Sequence, residues 1–211
     1  LFVAVVVMGM LKFFCGVTYE VRGAENIPLT SGRPVVVLSK HSSAWETLFL
    51  PYYIDHRMGF VYKESLHWIP FLGWALKSMN MIAINRSNGA YVSFLKKGLR
   101  FVKNGWWVTL FPEGTRVARG ARARYKTGGA RFAVAAKALV LPVAHDAGRL
   151  WPRNSIGKTS GTIHVTFGPV IDAGAADFET VNRELEDWIE GEIARMSGPE
   201  AGAAPVRNQS V

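Results

Sequence analysis

Val35-Val36-Val37-Leu38-Ser39-Lys40-His41-Ser42-Ser43-Ala44-Trp45-Glu46-Thr47-Leu48-Phe49-Leu50-Pro51 runs from an apolar β-branched stretch through a polar turn into a helical opening. Continuous Val and Leu suit a strand buried on both faces, where alternation disappears. Strand, turn and helix in succession are the unit of an α/β sheet. Outward from this unit the pattern repeats. Further strands are predicted at Gly59 to Lys63, Met79 to Asn85, Trp106 to Phe111, Leu139 to Ala144 and Thr162 to Gly168. Between them lie helical stretches. Ser87 to Lys103 brings Tyr91, Leu95, Leu99 and Val102 to one face and stops at Asn104-Gly105. Thr127 to Ala138 is alanine-rich. Asp177 to Met196 places Val181, Leu185, Trp188 and Ile189 on one stripe and its acids on an opposite, solvated face. The expected fold is α/β, a single mixed β-sheet domain over residues 18–197 flanked by helices.

The chain has 211 residues, 49% hydrophobic and 19% charged, enough to bury a core and to exclude an intrinsically disordered protein. Its one cysteine, Cys15, excludes an intramolecular disulfide framework and any Cys-x-x-Cys zinc or redox motif. The net charge is +9, and eight of the sixteen acids fall between Asp172 and Glu192, where Arg183 is the lone base. The rest of the chain is therefore strongly basic and attracts polyanions: nucleic acid, anionic headgroups or phosphorylated substrates.

Leu1 to Leu11 is apolar, and the run continues past Lys12 into Phe13, Phe14, Cys15 and Val17. Residues 1–17 are expected to be a truncated, membrane-associated apolar segment with Lys12 at the interface. The run falls short of the ~20 residues of a spanning helix, and its β-branched residues also suit a buried strand or core helix. No basic leader or small-residue cleavage site marks a signal peptide. The stretch 198–211, rich in Gly, Ala and Pro, is expected to be a disordered tail.

His41 and Glu46 are five apart. Within one helix they would diverge by about 140°. If His41 lies in the turn, with Ser43 as N-cap and Glu46 in the first helical turn, the carboxylate reaches back to the imidazole and leaves the other ring nitrogen to take a proton. Ser43-x-x-Glu46 also reads as a capping box, and the two arrangements are compatible.

Phe111-Pro112-Glu113-Gly114-Thr115-Arg116 follows a strand directly. Gly114 permits a tight turn, and Arg116 offers a planar fork to phosphate oxygens. Strand ends are where α/β sheets bind ligands. Seven bases from Arg116 to Lys137, Lys126 among them, meet no acid. By itself such a loop also reads as ordinary basic surface.

Lys40 to Pro51 and Phe111 to Arg116 resemble two signature blocks of the glycerolipid acyltransferases, specifically the 1-acylglycerol-3-phosphate acyltransferases. Met81-Ile82-Ala83-Ile84-Asn85-Arg86 and Leu141-Pro142-Val143-Ala144-His145-Asp146-Ala147-Gly148 resemble two more, in the same order. The family pattern is His, four intervening residues, then Asp, and here the acid is Glu46. The resemblance implies a bacterial inner-membrane enzyme with its active site on the cytoplasmic face. Its partners would be lysophosphatidate, a thioester of acyl-carrier protein or coenzyme A as co-substrate, and the membrane, with no nucleic acid, cofactor or metal.

On that resemblance, a fatty acyl group moves to the 2-hydroxyl of lysophosphatidate, giving phosphatidate. His41 is the base, Glu46 its orienting acid, and transfer is direct. Arg116 holds the phosphate, joined by Lys63, Arg86 and Lys126. Glu113, Gly114 and Thr115 form the substrate-binding turn, Glu113 orienting it or contacting glycerol, and the fourth block shapes the acyl tunnel. Glycerol-3-phosphate or another lysolipid is the alternative acceptor. An esterase reading puts water in place of the alcohol. A non-catalytic RNA- or membrane-binding module built on the basic loop would leave His41 and Glu46 without a task. His56, His67, His145 and His164 lack paired metal-ligand spacing, and there is no Gly-x-Ser-x-Gly elbow.

Overall fold

Val35–Ser39 forms a strand in which every residue is buried and alternate side chains feed different cores. Val35 and Val37 pack with Trp45, Phe49, Leu141 and Ile163 on one side. Val36 and Leu38 pack with Val108, Phe132, Ala133 and Leu185 on the other. This is the two-sided burial expected from an unbroken apolar run.

The computed structural model describes residues 2–68, 81–84, 90–153, 155 and 157–198. In chain order its elements are α1 (Phe2–Cys15), β1 (Val17–Arg22), β2 (Val35–Ser39), α2 (Trp45–Tyr53), β3 (Met58–Lys63) and β4 (Ile82–Ile84). Then come α3 (Ala90–Lys103), β5 (Trp107–Leu110), α4 (Gly128–Ala135), β6 (Leu139–His145), β7 (Gly161–Phe167), β8 (Ile171–Asp172) and α5 (Phe178–Met196). Asp177 caps α5 by accepting from the Thr180 amide.

The strands form one mixed sheet in the order β1-β7-β6-β2-β5-β3-β4, with β8 added to β6. The β6/β7 and β6/β8 pairs are antiparallel and the others parallel. Hence β2, β3, β4, β5 and β6 point the same way. Helices α1 and α2 cover one face, and α3, α4 and α5 the other. This topology sets the site: His41 follows β2, Lys63 ends β3, Phe111 to Arg116 follow β5, and His145 ends β6. Three of the four sequence blocks thus meet at the carboxyl ends of the neighbouring strands β6, β2 and β5.

Strands β1 and β8 were not expected from sequence, and Met79, Asn80 and Asn85 of the third predicted strand lie outside the described residues. The predicted face of α3 is corrected in part: Leu95 and Val102 pack against the core as expected. Tyr91 and Leu99 are exposed, and Phe94 and Gly98 are buried. The reason is Gly98, where a Cβ would come within 2.6 Å of the Phe132 ring, so the inward face centres on a residue with no hydrophobic signature.

The apolar N-terminal run is helical. Ala4, Met8 and Leu11 dock on the core, while Val3, Val6, Met10, Phe13 and Phe14 are exposed along the other side. At 14 residues α1 is about 21 Å long, against a hydrocarbon core of about 30 Å. Among the described residues no helix is long and apolar enough to cross a membrane. Residues 199–211 of the expected tail lie outside the described residues.

Candidate active site

Between β2 and α2 the chain turns sharply, and Glu46 in the first turn of α2 points back across it. Its Oε1 accepts from His41 Nδ1 at 2.7 Å and from the Ser43 amide at 3.2 Å. One carboxylate oxygen thus does both things the sequence allowed: it orients the imidazole and satisfies the helix start. The cap itself is corrected by one residue. The helix begins at Trp45, which puts Ala44 at the N-cap position without a side-chain cap bond, while the Ser43 hydroxyl one residue earlier accepts from the Trp45 amide at 3.2 Å and donates to the Trp151 carbonyl at 2.8 Å.

A carboxylate only accepts, so Nδ1 of His41 carries the proton and the lone pair of the neutral ring sits on Nε2. The imidazole lies flat on Phe111, centroids 3.9 Å apart at 14°. Its side chain retains 14% exposure, whereas that of Glu46 has 1%. The acid is sealed and the ring still reaches the surface. Glu46 Oε2 makes no hydrogen bond among the described residues. His145 Nε2 lies 3.8 Å from it. His145 in turn accepts from the Ala147 amide at Nδ1 and donates from Nε2 to the Lys40 carbonyl at 2.9 Å, a fixed neutral tautomer beneath the turn. This residue of the fourth block buttresses the backbone before His41, a role that sequence reasoning missed.

Glu113 is buried beside the same turn. Its Oε2 accepts from the His41 amide at 2.7 Å, and its Oε1 lies 2.7 Å from the Lys40 ammonium. Both oxygens face protein, so of the two tasks foreseen for Glu113 the geometry fits orientation of the turn. Burial pushes its carboxyl above the ordinary range, outweighing the pull of Lys40 and the His41 amide. Burial pushes the Lys40 ammonium down, but its carboxylate partners prevail and its pKa is raised.

Gly114 has φ near 68°, the left-handed region that glycine adopts without strain. A Cβ there would come within 2.7 Å of the Lys126 ammonium, so Lys126, 12 residues on, lies over the turn. The Lys126 amide donates to the Pro112 carbonyl and the Val117 amide to the His41 carbonyl, each at 2.8 Å. These bonds lock the two turns and the basic loop together. Thr115 is exposed and Arg116 half-buried. The Arg116 guanidinium has no hydrogen-bonded or ionic partner among the described residues, and its backbone carbonyl accepts from Arg153 at 3.1 Å. Lys63 ends β3 opposite Ile84. Arg86 lies outside the described residues.

The edge of the sheet therefore presents a base with an oriented lone pair, next to a cationic turn. An acyltransferase family model matches residues 18–146. A 1-acyl-sn-glycerol-3-phosphate acyltransferase from Pseudomonas aeruginosa is 40% identical over 193 residues, spanning 89% of this chain and 74% of that protein. The chloroplastic 1-acyl-sn-glycerol-3-phosphate acyltransferase LPAT1 of Arabidopsis thaliana is 32% identical over 75% of this chain and 45% of its own length. The crystal structure of the 1-acyl-sn-glycerophosphate (LPA) acyltransferase, PlsC, from Thermotoga maritima superposes with a TM-score of 0.75. At 24% identity it covers 92% of this chain and 77% of that one, a likeness of fold.

Proposed function

The chain belongs to the acyltransferase family, and from that premise we propose that it acylates the sn-2 hydroxyl of 1-acylglycerol-3-phosphate, giving phosphatidate. The observation that carries this reading is the His41–Glu46 pair, whose geometry directs the basic lone pair of Nε2 away from the acid.

An alcohol is a weak nucleophile at neutral pH, and a thioester is an activated acyl donor. What the enzyme adds is a base and alignment, worth about 10²–10⁴ in rate for the base alone. As the acceptor oxygen attacks the thioester carbonyl, its proton passes to His41 Nε2. The new C–O bond forms and a tetrahedral oxyanion develops. Collapse breaks the C–S bond, and the proton on Nε2 goes to the departing thiolate. Glu46 keeps its charge beside the transient imidazolium throughout. The donor's own activation means that this route calls on no cofactor.

Arg116 and Lys126 are the proposed cradle for the acceptor phosphate, with Gly114 and Thr115 shaping the turn and Lys63 and Arg86 completing it. The donor is an acyl-carrier protein or coenzyme A thioester. The exposed stripe of Val3, Val6, Met10, Phe13 and Phe14 suits an interfacial helix, consistent with an enzyme working at the cytoplasmic face of a bacterial inner membrane. Transfer of labelled oleoyl from its thioester to a panel of acceptors tests the reading. Phosphatidate formed preferentially from lysophosphatidate supports it, and preference for glycerol-3-phosphate, another lysolipid or water overturns it.

A further inference from the structure

We propose that Glu190, on the C-terminal helix α5, is a positioning residue for the catalytic turn, acting through Lys40 and Glu113; the inference rests on the reading of His41 as the base. The Lys40 ammonium lies 2.9 Å from Glu190 Oε1 and 2.7 Å from Glu113 Oε1. Glu113 holds the His41 amide with its other oxygen. Glu190 Oε1 also accepts from the Tyr125 hydroxyl at 2.9 Å. The chain of contacts thus runs from α5 to the backbone of the base, across 150 residues of sequence.

The cluster holds two acids around one base, so neutral donors complete it. Two carboxylates share one ammonium, and each takes a second donor, the His41 amide for Glu113 and the Tyr125 hydroxyl for Glu190. The Lys40 side chain is 6% exposed, where an unpaired charge is costly, so the members hold one another as a unit. With Lys40 gripped from α5, the Glu113 carboxylate is fixed in rotation, and with it the amide and ring of His41. The other inward acid of α5 is placed differently. Glu192 accepts from the Thr166 hydroxyl in β7 and pairs with Arg195 on its own helix. Glu190 lies outside the stretch that the family model matches, 18–146, and beyond the last of the four signature blocks.

The test compares wild type, Glu190→Ala and Tyr125→Phe, with Glu192→Gln as the control on the same helix. Transfer from oleoyl-CoA to lysophosphatidate is measured, together with hydrogen exchange at the His41 amide. For Glu190→Ala the expected result is kcat lower by about tenfold or more, KM for lysophosphatidate within about twofold, and faster exchange at His41. Tyr125→Phe moves both readouts in the same direction by a few fold, and Glu192→Gln moves neither. Unchanged kcat or unchanged exchange in Glu190→Ala overturns the inference. If that variant fails to fold, Tyr125→Phe decides by the same two readouts. Wild-type protein that transfers nothing from oleoyl-CoA or from oleoyl-acyl-carrier protein overturns the proposed reaction, and the exchange measurement then decides by itself whether Glu190 holds the turn.

Discussion

His41 Nδ1 lies 2.7 Å from Glu46 Oε1 because the chain folds back between them, carrying the acid on the first turn of α2 and leaving the imidazole before it. The same oxygen holds the Ser43 amide. Where the family pattern has Asp, the longer glutamate spans from helix to turn and still reaches the ring. In the proposed reaction its charge would stabilise the imidazolium formed during transfer.

Replacing Glu46 by Gln keeps the shape and removes that charge. Steady-state transfer should fall by about a hundredfold, whereas Glu46→Asp, with its carboxylate retained, should stay within about tenfold of wild type. Equal rates for the two variants would make Glu46 a support for the helix start and nothing more.

Arg116 should act on binding. Loss of a charge-assisted hydrogen bond costs about 1.5–3 kcal/mol, so Arg116→Ala should raise KM for lysophosphatidate by about tenfold or more while kcat changes little. Titration of rate against acceptor concentration checks this, and an unchanged KM would move phosphate binding to other bases.

Away from the site, both Arg33 guanidinium Nη atoms lie 2.7 Å from the Asp172 carboxylate oxygens. Arg33, then the Gly174 amide, hold the Asp172 pKa down to about 2 from its ordinary 3.8. The stabilisation is present in full above 3.8 and is lost as pH falls through about 2. Asp172→Asn should therefore lower the melting temperature near neutrality and bring it level with wild type below pH 2, by a small margin because the pair is exposed.

Phe13 and Phe14 are 81% and 72% exposed, their rings edge to face at 4.9 Å. Substituting both by Ser should leave the fold intact by circular dichroism and reduce binding to phosphatidylglycerol vesicles by about tenfold or more. Undiminished sedimentation with vesicles would remove α1 from the membrane-facing surface.

Much of the scaffold is legible in the sequence because β2, β5 and β6 are buried on both faces and read as predominantly apolar runs, interrupted in β5 only by the buried Thr109. The same logic hides β1. Thr18, Tyr19 and Glu20 are exposed, and the strand exists because it pairs with β7, which no local pattern reveals. The His41–Glu46 contact is local and could be read from spacing. The Glu113–His41 contact spans 72 residues and depends on β5 lying beside β2. The acids of α5 look alike in sequence, as one solvated face. Glu190 and Glu192 depart from that expectation because Lys40, Tyr125 and Thr166 meet them across the fold.

Phosphatidate formation by His41→Ala, beside wild type under saturating thioester and lysophosphatidate, reaches the central claim most directly. The account predicts a properly folded variant whose rate is down by about 10²–10⁴. A rate within about tenfold of wild type would contradict it, since general-base catalysis by this imidazole would then contribute too little to matter.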